Sequence, residues 1–189
     1  MQVQVLSSAQ LGRMAQLVRA LRLHRRGPRF DSLCAHQDYM TTQQLLNHCQ
    51  LAKTVSETAN LAKQLCQIWQ GGEIIALSGQ LGAGKTTFTQ AIGKSLDVKE
   101  IITSPTFTIL RQYDCHHQTI KQLIHIDAYR LSSGIDLINL GLNDWLNCPT
   151  CLIVIEWPEK IIDWLPANTW SINFEHHRTG RLICWQPPQ

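Results

Sequence analysis

The sequence predicts an α/β fold built around a largely parallel sheet, and three stretches predict it. Glu73-Ile-Ile-Ala-Leu-Ser78 reads as a short buried strand that passes through a glycine-rich loop into a helix from Lys85 to Leu96. Cys151–Ile155 is wholly apolar, as expected of a parallel strand covered on both faces. Between Val55 and Trp69, Leu61, Leu65 and Ile68 recur at helical spacing. Strands alternating with helices place these elements in one α/β domain of about 150 residues, 40–189.

The elements follow in order. Thr54-Val-Ser-Glu57 forms a capping box that opens the 55–69 helix, and Gly71-Gly72 closes it. After the 85–96 helix, Ile109–Tyr113 and Gln122–Ile126 read as strands joined by a polar turn at 114–118. Ile135–Leu140 and Leu142–Leu146 have helical period with Gly141 as a break. Pro158–Leu165 predicts a short helix with proline in its first turn. Trp170–Phe174 and Arg181–Trp185 predict a C-terminal β-hairpin.

Composition narrows the function classes. Of 189 residues, 44% are hydrophobic and 16% charged, the latter low against roughly 25% in soluble domains. A sizeable core follows and wholesale disorder does not. The longest apolar runs fall far short of the roughly 20 residues needed to span a bilayer, and the N-terminus lacks the apolar stretch of a secretory signal. A cytoplasmic location without membrane contact is the expectation. The net charge of +3 is uneven: residues 1–39 carry six arginines and two aspartates, so 40–189 hold 11 basic and 12 acidic residues. Bulk electrostatics therefore do not make the domain a nucleic-acid binder.

Residues 1–39 carry a different signal. Ala15–His24 followed by Arg25-Arg-Gly-Pro-Arg-Phe-Asp-Ser32 resembles a conceptual translation across a transfer-RNA gene, and Met40-Thr-Thr-Gln-Gln44 resembles an ordinary bacterial start. The expectation is a non-native or disordered extension at 1–39, produced by a misplaced start codon. The seven cysteines are odd in number and irregularly spaced, which predicts reduced thiols. Cys148-Pro-Thr-Cys151 has redox-motif spacing, but it runs into a strand where such motifs open a helix, and it has no second pair for a metal; no role is expected of it.

The sharpest motif is Gly79-Gln-Leu-Gly-Ala-Gly-Lys-Thr86, which satisfies the P-loop pattern between a strand and a helix. Glycines let backbone amides turn inward around phosphate oxygens at the positive end of a helix dipole. Gly79, Leu81, Gly82, Ala83 and Gly84 would form that cradle, Lys85 would bridge the β- and γ-phosphates, and Thr86 would ligate Mg²⁺. Thr87 would reach the α-phosphate. ATP and Mg²⁺ are the expected ligands. A second metal-side carboxylate is expected at a strand end. Glu156 follows Leu152–Ile155 and Asp127 follows Leu123–Ile126, so both are candidates, each with the alternative of a helix cap or surface carboxylate. His125, on an apolar strand, reads as a hydrogen-bonded core residue, and Trp157 and Trp164 as packing residues.

Four segments in this order, Leu81–Thr87, Thr103-Ser-Pro-Thr-Phe-Thr108, His125-Ile-Asp-Ala-Tyr-Arg-Leu131 and Ile155-Glu-Trp-Pro-Glu159, resemble the TsaE (YjeE) family, over essentially all of 55–185. That resemblance implies a P-loop NTPase-like three-layer sandwich. It also implies an ATPase that works with the TsaB and TsaD proteins in tRNA threonylcarbamoyladenosine (t6A) modification, meeting tRNA only indirectly through the complex. Carried onto this sequence, Thr86 and Glu156 would hold Mg²⁺ with Asp127 close by, and Ser104 and Thr106 would lie on a switch-like loop near the γ-phosphate. Trp157 would lie beside the nucleotide, and Arg181 would approach it from the hairpin. Lys85, Asp127 and Glu156 would be the catalytic set. Ala128 departs from the family's usual Leu. Two rival readings are a P-loop small-molecule kinase, disfavoured because the four arginines after residue 40 form no evident lid, and a nucleotide-binding interaction module with little turnover.

Overall fold

The computed structural model describes residues 49–188, apart from the side chain of Asn139. The expected extension at 1–39 lies outside the described residues. The elements are β1 (Cys49–Ala52), α1 (Val55–Cys66), β2 (Ile74–Gly79), α2 (Lys85–Ser95), β3 (Leu110–Asp114), β4 (Gln122–Asp127), α3 (Ile135–Asn139), α4 (Asn143–Leu146), β5 (Cys151–Glu156), β6 (Thr169–His177) and β7 (Gly180–Gln186). They form an α/β fold around a seven-stranded sheet in the order β1-β7-β6-β2-β5-β4-β3. Its centre, β6-β2-β5-β4, is parallel. The outer pairs β3–β4, β6–β7 and β1–β7 are antiparallel.

Strand alternation sends side chains to two separate cores. Ile75 and Leu77 of β2, Leu123 of β4, and Leu152 and Val154 of β5 pack with Leu61 and Leu65 of α1 and Phe88 and Ile92 of α2. Ile74, Ile124, Ile126, Ile153 and Ile155 take the other face, against Leu137, Leu142 and Ile161. The apolar run Cys151–Ile155 of β5 is buried at every position, as its composition predicts. Half of the predicted capping box forms as expected, with Thr54 Oγ1 accepting from the Glu57 amide, while Glu57 Oε2 reaches back to the amide of Lys53, one residue before the cap.

Two expectations are corrected and a third is met. Pro158–Leu165 is two 3-10 turns, Pro158–Lys160 and Ile162–Trp164, because Ile161 leaves helical geometry at φ −138°. The 135–146 segment is two short helices parted at Gly141, whose φ is +81°, as its sequence predicts. The cysteines are not all reduced. Cys49 and Cys184 stand opposite one another in the β1–β7 register and are disulfide-bonded. Irregular spacing hid that pair because strand β1 has too short and polar a sequence, Cys-Gln-Leu-Ala, to announce itself.

Candidate functional site

The parity of two strands builds the site. On β4, His125 and Asp127 share a face with Leu123; on β5, Glu156 shares that face with Leu152 and Val154. This is the face on which α2 packs. Register then pairs Asp127 with Glu156 at the carboxyl ends of adjacent parallel strands, and Leu77, two residues before the glycine-rich loop, with Glu156. The strand ends of a parallel sheet, where helices begin, are where such folds place ligands.

Gly82 and Gly84 hold φ of +73° and +107°, conformations that side-chain-bearing residues rarely adopt, and a Cβ on either would meet open space within 4 Å. Those positions therefore leave a bare backbone facing outward at the start of α2, a suitable cradle for phosphate oxygens. Lys85 is turned inward. Its Nζ donates to the carbonyls of Gly79 and Gln80 at 2.6 and 3.0 Å and lies 3.6 Å from the ring centroid of Trp157. Burial pushes its pKa below the usual lysine value, against the opposing pull of Glu156, Glu159 and Asp127.

The next residue, Thr86, donates its hydroxyl to Glu156 Oε2 at 3.0 Å. The other carboxylate oxygen, Oε1, meets His125 Nε2 at 2.8 Å. Since a carboxylate accepts, Nε2 is the donor of this bond; both side chains are buried. His125 is thus a core residue, as expected, but its bond aims Glu156 at the loop. Sequence alternation places His125 on the face of Asp127, but which strand lies beside it is a matter of tertiary pairing. Asp127 Oδ2 accepts from Ser104 and Thr106, each at 2.9 Å, and Oδ1 accepts from the Tyr129 amide. The Thr103–Thr108 segment is therefore tethered to the strand-end carboxylate through both predicted hydroxyls.

The remaining predicted residues also converge. Trp157, at φ +61°, holds its ring over Lys85 and 5.1 Å from Tyr129. Arg181 reaches the carbonyl of Gly82 at 3.4 Å. A groove of about 290 Å³ runs beside the loop, with Thr87, Gly82, Thr54, Val55, Gly180 and Arg181 on its walls. Leu81 in the glycine-rich loop and Phe107 on the tethered segment are each 85% exposed. A hydroxyl and two carboxylates at one mouth are hard oxygen donors suited to Mg²⁺, and the bare amides suit its phosphate partner. The residues present fit both groups.

The family model described as "Threonylcarbamoyl adenosine biosynthesis protein TsaE" matches residues 52–183. Proteins named tRNA threonylcarbamoyladenosine biosynthesis protein TsaE are similar to this chain in several bacteria. The Streptomyces coelicolor protein is 39% identical over 57% of this chain and 72% of its own. That of Treponema pallidum is 34% identical over 65% and 87%, and that of Bacillus subtilis 36% over 61% and 70%. Among solved structures, the crystal structure of Bacillus subtilis YdiB superposes with a TM-score of 0.61 at 26% identity, covering 75% of this chain and 85% of that one. The matched span holds the glycine-rich loop, both strand-end carboxylates and Arg181, and the chain belongs to the TsaE family of tRNA threonylcarbamoyladenosine biosynthesis proteins.

Proposed function

We propose that this chain is a cytoplasmic ATPase with a P-loop NTPase-like three-layer fold, which binds Mg²⁺-ATP and works with TsaB and TsaD to sustain repeated rounds of t6A modification. The observation that carries the reading is the meeting of Thr86 and Glu156 at the head of α2, with Asp127 beside them on the next strand. The names of the relatives support the pathway; the site supports the chemistry.

In this reading the amides of 79–86 bind the phosphates, and the Thr87 wall of the groove faces the nucleoside side. Thr86 and Glu156 hold the metal, with Asp127 close to it or its waters. Mg²⁺, when bound, neutralises the charge spread over the transferred phosphoryl group. Lys85 turns from its two carbonyls to the β- and γ-phosphates. Ser104 and Thr106 leave or keep Asp127 according to whether the γ-phosphate offers their hydroxyls a better acceptor. Arg181 and Trp157 close the site from the hairpin and from the β5 end.

Slow turnover in isolation follows from the same bonds. Asp127 is already engaged at both oxygens and Lys85 is held by two carbonyls, so neither is free to act on a bound nucleotide without rearrangement. Complex formation supplies the missing order. The test is reconstituted tRNA modification with TsaB and TsaD, with and without this chain, run through many turnovers, alongside phosphate release. Modification that stalls without the chain, and ATP hydrolysis that rises when TsaB and TsaD are added, are the expected results. Phosphorylation of a small molecule would favour the kinase reading instead. No Mg²⁺-ATP uptake by folded protein in a calorimetric titration would end the proposal.

A further inference from the structure

The Cys148-Pro-Thr-Cys151 segment lies at the start of β5, at the opposite end of the strand from Glu156. Five residue steps at roughly 3.3 Å each separate it from the nucleotide site by about 17 Å. It does not open a helix. A tight turn does the same work: the Cys151 amide donates to the Cys148 carbonyl at 3.2 Å, closing a four-residue turn. Such a turn brings its end Cα atoms within about 7 Å, which overlaps the span a disulfide bridges. The two free sulfurs face one another in direct contact.

Neighbouring backbone pins this turn. The Gly72 amide donates to the Cys151 carbonyl at 2.6 Å, and the Lys121 amide to the Thr150 carbonyl at 2.7 Å. A Cβ on Gly71 would come 2.2 Å from the Pro149 carbonyl oxygen, so the 71–72 loop is seated directly on the turn. Thiols held this way need little rearrangement to bond. They also differ in exposure, since Cys151 is buried and Cys148 is partly exposed.

We propose that Cys148 and Cys151 form a reversible dithiol–disulfide site, oxidised by exchange with low-molecular-weight disulfides. Cys148 is the attacking sulfur. Its thiolate displaces one thiolate from the small disulfide and becomes a mixed disulfide. Cys151 then loses its proton and attacks the Cys148 sulfur, releasing the second small thiolate. Two protein thiols lose two electrons and two protons, and the small disulfide takes them up as two thiols. The division of labour agrees with the chemistry of each thiol. Hydrogen bonds from Cys151 and then Thr150 hold the Cys148 pKa below the usual thiol value, while burial pushes Cys151 up to about 12. Cys66 and Cys115 are buried, and burial pushes them up to about 12 and about 11; they serve as internal controls.

The test treats the full chain with excess glutathione disulfide, blocks remaining thiols with iodoacetamide and maps the peptides by mass. The peptide carrying both residues should lose two hydrogens and escape alkylation, and dithiothreitol should restore two alkylatable thiols. In Cys151→Ser, a single glutathione adduct should accumulate on Cys148 at least tenfold faster than on Cys66 or Cys115. If the wild-type peptide keeps two alkylatable thiols, or if Cys148 in the variant reacts no faster than the buried cysteines, the proposal fails. The wild-type measurement decides the matter alone should the variant not fold.

Discussion

Replacing Glu156 separates its structural bonds from its proposed metal role. Its two oxygens accept from Thr86 Oγ1 at 3.0 Å and from His125 Nε2 at 2.8 Å. A hydrogen bond to a charged acceptor contributes about 1.5–3 kcal/mol. In Glu156→Ala both donors lose their acceptor, and His125, fully buried and already without a partner at Nδ1, is left with none at either nitrogen. Taking the low end for each bond gives a loss of about 3 kcal/mol. For a domain of this size, 1 kcal/mol moves Tm by about 2–4 °C, so the variant should melt roughly 6–12 °C below wild type. Glu156→Gln keeps the side chain's volume and one carbonyl acceptor, and should lose about half as much. The assay is thermal unfolding by circular dichroism without nucleotide, then Mg²⁺-dependent phosphate release at a temperature where both variants are folded. The Gln variant should still lose turnover by more than about tenfold, equivalent to about 1.4 kcal/mol of barrier. An Ala variant that melts with wild type would refute the two buried bonds, and undiminished hydrolysis by the Gln variant would refute the metal role.

Lys85→Ala should weaken Mg²⁺-ATP binding by about 10- to 150-fold, the equivalent of one charge-assisted contact of about 1.5–3 kcal/mol; calorimetry showing wild-type affinity would contradict the bridging role. In Gly180→Ala the new Cβ would stand 2.1 Å from the Ala52 carbonyl oxygen. The β1–β7 edge should shift, at a cost of about 1–3 kcal/mol read in urea unfolding, and an unchanged midpoint would show that the edge is loose. Hydrogen bonds from the Ser132 backbone, the Ser132 side chain and the Ser133 backbone hold the Asp136 pKa below the usual carboxylate value. That contribution is present above the unfolded pKa of about 3.9 and is lost as pH falls through the lower folded value. Wild type should therefore exceed Asp136→Ala in stability at neutral pH and converge with it in acid; a gap that persisted in strong acid would place the effect outside the carboxylate's charge.

The glycine-rich loop was legible because its pattern occupies consecutive residues, and both strand-end carboxylates because each follows an apolar run. What joins them was harder to see. Whether Asp127 and Glu156 meet depends on β4 lying next to β5 in register, a pairing between segments separated by two helices. His125 illustrates the difference: its burial followed from its neighbours, whereas its bond to Glu156 required knowing which strand lay alongside. Local readings failed where tertiary packing overrode period. Pro158–Leu165 has a helical look, yet Trp157 enters it at φ +61° and Ile161 breaks it, so that the chain turns Trp157 back over the loop. The Cys49–Cys184 bond spans 135 residues and depends on a four-residue edge strand, beyond the reach of any spacing rule.

Lys85 shows why the parts of this site must be considered together. Its ammonium has two carbonyl acceptors and an aromatic face within 3.6 Å, so it is buried but satisfied. Under the proposed reading, a triphosphate must outcompete those three partners before it gains the lysine. The measured affinity is then the difference between two sets of bonds and is weaker than the phosphate contacts alone would give. Trp157 sits one residue after Glu156, and its amide donates to Leu77 at 3.2 Å. Any displacement of that ring to release the lysine therefore acts next to the strand-end carboxylate of Glu156. Lysine release and carboxylate placement are mechanically linked through a single peptide unit.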